Sequence, residues 1–339
     1  MKKQALFILV CAALCGAGLT AESTPSPALL VLSKRDLTLS IVNPATLQVV
    51  AKTPSGPDPH EVVASSDGKF AYISNYGFGT YNTITIVDLI AQKTLKAVDL
   101  GALRGPHGLF YAGGKVYFTA ETNQVIGTYD PATDKVDWIL GTGQERTHMV
   151  WVSADLQRIV TTNVNAATVS VIEKRTPAAG APPGPPRPAG PSWTQTVVPV
   201  GKGDEGFDVS PDGREIWTAN AQDGTISIID FATKRVSATL NADVASANRL
   251  KFAPDGKLVL VSMLRSPEIV ILDASTRGVV KRLKVGTGAA GIEMQPDGTR
   301  AFVACTPDNY VAVIDLKTLD VSVHIDAGGG PDGMAWAVH

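Results

Sequence analysis

Apolar residues along this chain fall into short runs, each about the length of a strand, separated by polar turns. Residues 59–89, PHEVVASSDGKFAYISNYGFGTYNTITIVDL, display the pattern most fully. His60 opens an apolar strand, Asp67-Gly68 turns the chain, FAYISN forms a second strand and TITIVDL a third. Runs rich in Ile, Val and aromatic residues and bounded by Asp-Gly turns predict strands. Aligned on the first turn, the position of His60 is taken in later copies by His107, His148, Glu205, Asn248, Ala290 and Asp332, at steps of 47, 41, 57, 43, 42 and 42 residues. The third strands give an independent count. They end at Asn43, Asp88, Asp130, Glu173, Asp230, Asp273 and Asp315. Seven units of four strands, repeating about every 40–45 residues, predict an all-β fold: a seven-bladed β-propeller of four-stranded antiparallel blades.

Residues 29–339 thus read as one propeller domain, preceded by a short polar lead-in over 22–28. The first blade begins with only three strands, 29–34, 37–42 and 47–53. Its missing inner strand is expected from the tail, GMAWAV at 333–338, so that the two chain ends share one sheet and no edge is left open. The step of 57 is explained by an insertion in blade four, residues 176–192, TPAAGAPPGPPRPAGPS. Proline cannot donate to a ladder, so this segment is expected to leave the sheet as a surface loop. The Asp residues that close the third strands, as in DPATDK and DFATKR, read as turn caps that accept backbone N–H bonds. They stand one per blade, too far apart for a calcium cage.

The stretches YISN, VTTN, WTAN and SPDG resemble the YVTN-type propeller repeat, and the resemblance covers almost all of residues 29–338. It implies the propeller fold. It does not select an activity, because one fold hosts many functions.

Composition changes the picture in two ways. The chain opens MKK and continues with a mostly apolar run from Ala5 to Leu14 and then small residues, the plan of a secretory signal peptide over 1–21. Val10 and Leu14 precede Cys11 and Cys15 where lipidation would want a small residue. Periplasmic or secreted localisation follows as the expectation, with no transmembrane segment. Removing the leader takes Lys2 and Lys3 from the 30 basic residues and leaves 28 against 32 acidic ones, a net charge of about −4. A mildly acidic chain lacks the basic footprint of a nucleic-acid binder. Of the 3 cysteines only Cys305 would remain, so no intrachain disulfide can form, and a buried free thiol at a strand end is expected to be inert.

Candidate chemistry gathers at one register. In a four-stranded blade the turns alternate between two faces, so all His60-type positions ring one mouth of the channel. In ring order they read Asp332, His60, His107, His148, Glu205, Asn248, Ala290. Three histidines in consecutive blades, flanked by two carboxylates, have two readings: repeat duplication with each imidazole bonded to a neighbouring blade's backbone, or a polar funnel. In the second reading His60, His107 and His148 are candidate metal ligands, for zinc or copper. The following register reads Gly333, Glu61, Gly108, Met149, Gly206, Arg249, Gly291. Its glycines point to close backbone approach at the hub. Arg249 reads either as a surface side chain or as a clamp for an anionic ligand, with Glu61 the other charge in that layer. Tyr76, Phe78 and Tyr81 in the long loop YGFGTYN are candidates for a lid.

Three function classes fit: a monomeric propeller that binds a small ligand, a metal ion or an envelope protein at the mouth lined by His60, Glu61, His107, His148, Glu205, Arg249 and Asp332; a lactonase-like hydrolase using the same funnel, which only the resemblance to propeller families implies; and a structural envelope module. Motifs for nucleotide, haem or serine-hydrolase chemistry are absent from the sequence. Whether there is catalysis is left open by the residues alone.

Overall fold

A computed structural model describes residues 22–175 and 193–339. The expected leader and the Pro-rich insertion lie outside the described residues. The chain forms twenty-eight strands, numbered here in chain order, in seven four-stranded sheets. The inner strands, which line the axis, are β4 (Pro59–Ala64), β8 (Pro106–Ala112), β12 (Thr147–Val152), β16 (Asp204–Val209), β20 (Ala247–Phe252), β24 (Ala289–Met294) and β28 (Pro331–Ala337). They belong to blades two to seven and then blade one. The seven-bladed, all-β expectation therefore holds.

Blade one closes as the sequence predicts. Its own strands β1 (Ala28–Ser33), β2 (Thr38–Asn43) and β3 (Gln48–Pro54) lie within a residue of the expected limits. The tail strand β28 pairs antiparallel with β1, Leu29 opposite Trp336 and Leu30 opposite Ala335. Ser26 and His339, at the two described ends, exchange hydrogen bonds of 2.6 and 3.0 Å.

The two middle strands of each blade are buried on both faces because each blade is packed between two others. In β1, Leu30 and Leu32 join Ile41, Val62, Ile73 and Val87 against blade two. Leu29 and Val31 join Phe302, Val313 and Met334 against blade seven. Each such side chain contributes about 1.5–3 kcal/mol by its burial. The turn caps also form as expected: Asp88 Oδ1 accepts the N–H groups of Ile90 and Ala91 at 2.9 and 2.8 Å.

One irregularity recurs in every blade and positions the site. The ladder between the inner strand and its neighbour slips at the His60-type position, between Pro59 and Val62 in blade two, Pro106 and Leu109 in blade three, Thr147 and Val150 in blade four. Blades five, six, seven and one repeat the slip. Such a bulge bends the strand and re-aims its side chains. The N–H group freed in the bulge finds a hydroxyl on the adjacent strand. Glu61 donates to Ser74 Oγ at 3.0 Å, Gly108 to Thr119 Oγ1 at 2.9 Å and Arg249 to Ser262 Oγ at 3.0 Å. Two of those hydroxyls then donate to the next blade: Thr119 to the His148 carbonyl at 2.7 Å and Ser262 to the Ala290 carbonyl at 2.6 Å. The Ser and Thr of YISN, YFTA and LVSM thus satisfy the bulge, and those of YFTA and LVSM also tie blade to blade.

The hub glycines follow from the same crowding. A Cβ on Gly206 would lie 2.6 Å from the Cα of Arg249, and one on Gly108 would lie 2.7 Å from the Cα of Met149. Gly291 and Gly333 face the backbone of Asp332 and His60 in the same way. Only a residue without a side chain lets consecutive inner strands approach this closely.

Candidate functional site

The bulges turn the His60-type register toward one mouth of the channel. Three imidazoles form a continuous row across blades two, three and four. The ring centroids of His60 and His107 are 4.4 Å apart and those of His107 and His148 are 3.8 Å apart. Tyr76 stands edge-on to His107, its centroid at 5.0 Å. His107 and His148 are each 1% exposed, while His60 keeps an open edge toward the mouth.

His60 and His148 have different side-chain partners, and among the described residues none of the three rings is hydrogen-bonded to a neighbouring blade's backbone. His60 Nδ1 meets the Lys34 ammonium at 2.5 Å. His148 Nδ1 is hydrogen-bonded to Glu121 Oε1. Glu121 Oε2 accepts the Tyr76 hydroxyl at 2.5 Å, and Arg146 lies 3.6 Å from Oε1. Arg146 continues to Glu205 at 3.1 Å, and Glu205 Oε1 lies 3.9 Å from His148 Nε2. Two buried imidazole nitrogens have no partner among the described residues: His107 Nδ1 and His148 Nε2.

Burial, reinforced by the neighbouring His148 and His60, lowers the His107 pKa well below the ordinary imidazole value, which keeps that ring neutral. His60 is lowered to about 3, first by the protein around it and then by Lys34 and Arg249, against the opposing pull of Asp332 and Asp58. Burial alone would raise Glu121, but its interaction with His148 and the hydrogen bonds from His148 and Tyr76 outweigh it. The carboxylate is held below its usual range.

The structure places the expected site residues as follows. The compact metal-capable group is His107, Glu121 and His148, whose donor atoms all lie within 4.8 Å of one another. His60, expected as a third ligand, lies outside that group, and its Nδ1 is taken by Lys34. Arg249 is neither a surface side chain nor free to clamp an anion: it is 5% exposed and paired with Glu61. In the aromatic loop, Phe78 is 85% exposed, but Tyr76 is 8% exposed and serves as a wall of the histidine row rather than a lid. Glu205 and Asp332 do lie at the mouth, Glu205 against Arg146 and Asp332 3.3 Å from Lys34. Asn248 is buried there and Ala290 contributes only backbone. Cys305 is fully buried and its thiol is pushed up to about 12, chiefly by desolvation, as an inert side chain requires.

Glu121, Lys34 and Arg146 were missed by looking at one register. The signal was available. The residue after the second strand of each blade reads Lys34, Tyr76, Glu121, Val164, Ala221, Leu264 and Thr306. Several of these border an open pocket of about 590 Å³ at the mouth, together with His60, Arg146, Glu205 and Asp332. A 3-10 turn at Glu121–Asn123 sets Glu121 at the edge of the histidine row.

Below the histidine row, Glu61 of blade two and Arg249 of blade six meet across the axis. Arg249 also donates to the Asn248 carbonyl at 3.1 Å. Burial and the Glu61 carboxylate act in opposite directions on Arg249, and the carboxylate prevails, raising its pKa further. The pair separates the mouth pocket from a second cavity of about 340 Å³ in the channel interior.

The fold is similar to that of several solved propellers. A protein of unknown function from Desulfotomaculum acetoxidans superposes with a TM-score of 0.71 at 13% identity, over 90% of this chain and 98% of that one. A protein from Bacteroides uniformis described as "a putative 6-phosphogluconolactonase" gives 0.70 at 17%, over 92% and 99%. A protein of the same description from Bacteroides fragilis gives 0.69 at 15%, over 93% and 99%. No family model and no curated protein matches the sequence. At these identities the likeness establishes the fold alone.

Proposed function

We propose that the protein is an exported propeller that binds a divalent transition-metal ion at its channel mouth through His107 and His148. The observation that carries this reading is the pair of buried imidazole nitrogens, His107 Nδ1 and His148 Nε2, that no described residue satisfies. A buried nitrogen without a donor or acceptor is costly, and a metal ion satisfies it. Glu121 supports the reading. A carboxylate that takes the far N–H of a ligating imidazole fixes its tautomer and raises its basicity. The ion-pair network around the mouth joins Lys34, Arg146 and Arg249 to Asp58, Glu61, Glu121, Glu205 and Asp332. With neutral imidazoles, its carboxylates exceed its basic groups by the charge of one divalent cation. Imidazole and carboxylate donors suit zinc and copper. Titration of the purified protein with Zn²⁺ and Cu²⁺ tests the site. One equivalent should bind, and His107→Ala and His148→Ala should each abolish it. Absence of saturable binding by the parent protein would overturn the reading.

A second reading, lactone hydrolysis, is favoured by the Glu121–His148 contact. A carboxylate holding one imidazole nitrogen leaves the other to act as a general base. A panel of sugar and alkyl lactones decides it: hydrolysis lost in His148→Ala supports catalysis, and no turnover above background ends it. The repeat motifs support a place among YVTN-type propellers, and the leader pattern of residues 1–21 supports export to the periplasm or beyond. No helix among the described residues is long and apolar enough to cross a membrane. N-terminal sequencing of the protein recovered from its native compartment checks the processing.

A further inference from the structure

The cavity below the Glu61–Arg249 pair is not part of the mouth. It is walled by the register three residues beyond the His60 position, which in ring order reads Ala335, Val63, Phe110, Trp151, Asp208, Lys251, Glu293. The register divides in two. Blades one to four contribute an apolar wall with two aromatic rings. Blades five, six and seven contribute three consecutive charged side chains on β16, β20 and β24. A structural channel wall is free to repeat small or apolar residues at this position, as four of the blades do. Holding three half-buried charges side by side on a narrow channel wall is unfavourable unless something compensates them.

The compensation within the chain is incomplete. Asp208 is hydrogen-bonded: its Oδ2 accepts the Phe252 N–H at 3.0 Å and its Oδ1 the Val209 N–H at 2.9 Å. Lys251 and Glu293 make no side-chain hydrogen bond and no ion pair with any described residue, although each lines the cavity beside the other. Asp208 raises the Lys251 pKa against the effect of burial, so the ammonium stays charged. Burial lifts Glu293 to about 7, and an approaching ammonium would return it to its ionised form.

We propose that this cavity is a binding site for a small organic zwitterion, an α-amino acid with an apolar side chain. Its carboxylate meets Lys251, its ammonium meets Glu293 and Asp208, and its side chain lies against Phe110, Trp151 and Val63. The volume, about 340 Å³, is at the lower end of that of small-molecule sites, which run from about 300 to 1,000 Å³. A simple amine would leave Lys251 unmatched, and a simple carboxylate would leave Glu293 unmatched. A zwitterion answers both with one molecule. The site is independent of the metal reading, because the Glu61–Arg249 pair stands between the two.

Calorimetric titration of the full chain tests this with L-leucine and L-phenylalanine as probes. The control ligands are 3-methylbutylamine and 4-methylpentanoate, which carry one charged end each. The amino acids should bind saturably, and each single-charge analogue at least about tenfold more weakly. Lys251→Met and Glu293→Gln should each weaken amino-acid binding by about tenfold or more while the unfolding transition remains cooperative. The proposal is overturned if neither amino acid binds, if an analogue binds as well as the amino acid, or if binding survives in Lys251→Met. Should either variant fail to fold, the comparison of ligands on the parent protein still decides.

Discussion

Arg249 and Glu61 form an ion pair across the central channel, between inner strands of blades six and two, 188 residues apart in sequence. Both belong to a register otherwise dominated by glycine, where the inner strands leave room for long side chains only because their neighbours have none. The guanidinium and carboxylate are 6% and 12% exposed, so each depends on the other for compensation.

Removing one partner should therefore cost more than removing both. Arg249→Ala leaves a buried carboxylate and is expected to destabilise by about 3–5 kcal/mol. Arg249→Met combined with Glu61→Gln should recover most of that loss. Urea unfolding of the two single variants and the double variant measures it. Equal destabilisation in all three would mean the pair is not coupled.

The hub glycines make a sharper steric prediction. Gly206→Ala places a Cβ 2.6 Å from the Cα of Arg249, against backbone that cannot yield without moving a blade. A loss of about 1–3 kcal/mol is expected from such overpacking. Gly141→Ala, at an exposed position with nothing within 4 Å of the added atom, serves as the control and should be nearly neutral. Comparable thermal midpoints for the two variants would show that the inner strands are not in close approach.

Asp204 predicts a pH dependence of stability. Burial raises its pKa to about 8, and its Oδ1 lacks a donor, as does Oδ1 of Asn220, its partner across the ladder. The folded state holds this proton more tightly than the unfolded state does. The stabilising contribution is complete below the unfolded carboxyl value near 3.8 and declines as pH rises toward 8. Asp204→Asn should remove that decline and stabilise the protein at pH 7–8, by a few kcal/mol at most. Unfolding midpoints for both proteins between pH 5 and 8 test the sign, since a variant that tracks the parent across the range contradicts it.

Closure of the ring rests on β28. Deleting residues 331–339 removes the inner strand of blade one, Asp332 at the mouth and Trp336, whose Nε1 donates to the Met294 carbonyl of blade seven at 2.6 Å. Blades one, two and seven would each lose a packed face. The expected outcome is loss of a single cooperative thermal transition by circular dichroism. A truncated chain that melts as sharply and as high as the parent would refute the closure.

Several features of the site were legible before any coordinates. His107 and His148 fall in one register and do meet, with Glu205 beside them. The Thr of VTTN was seen as repeat motif without its purpose, because a hydroxyl bridging two blades, here Thr162 to the Glu205 carbonyl at 3.2 Å, cannot be inferred from either blade alone. Glu121 escaped because it lies in another register, one residue past the second strand. Nothing local to it announces that its carboxylate reaches His148.

The sequence by itself determined the architecture of this protein. Blade number, strand order, the tail that completes blade one and the face that carries the histidines all follow from a period and from turn chemistry, which are local and repeat along the chain. Tertiary structure alone decided the partners. The match of His60 with Lys34, of Arg249 with Glu61 and of Glu121 with His148 and Tyr76 depends on which side chains the bulged inner strands bring within hydrogen-bonding distance around a closed ring. Repeat arithmetic assigns each residue a level and an angle on that ring. It does not say which neighbour a flexible side chain reaches, because that choice is made by the competition among charges, burial and space at the axis.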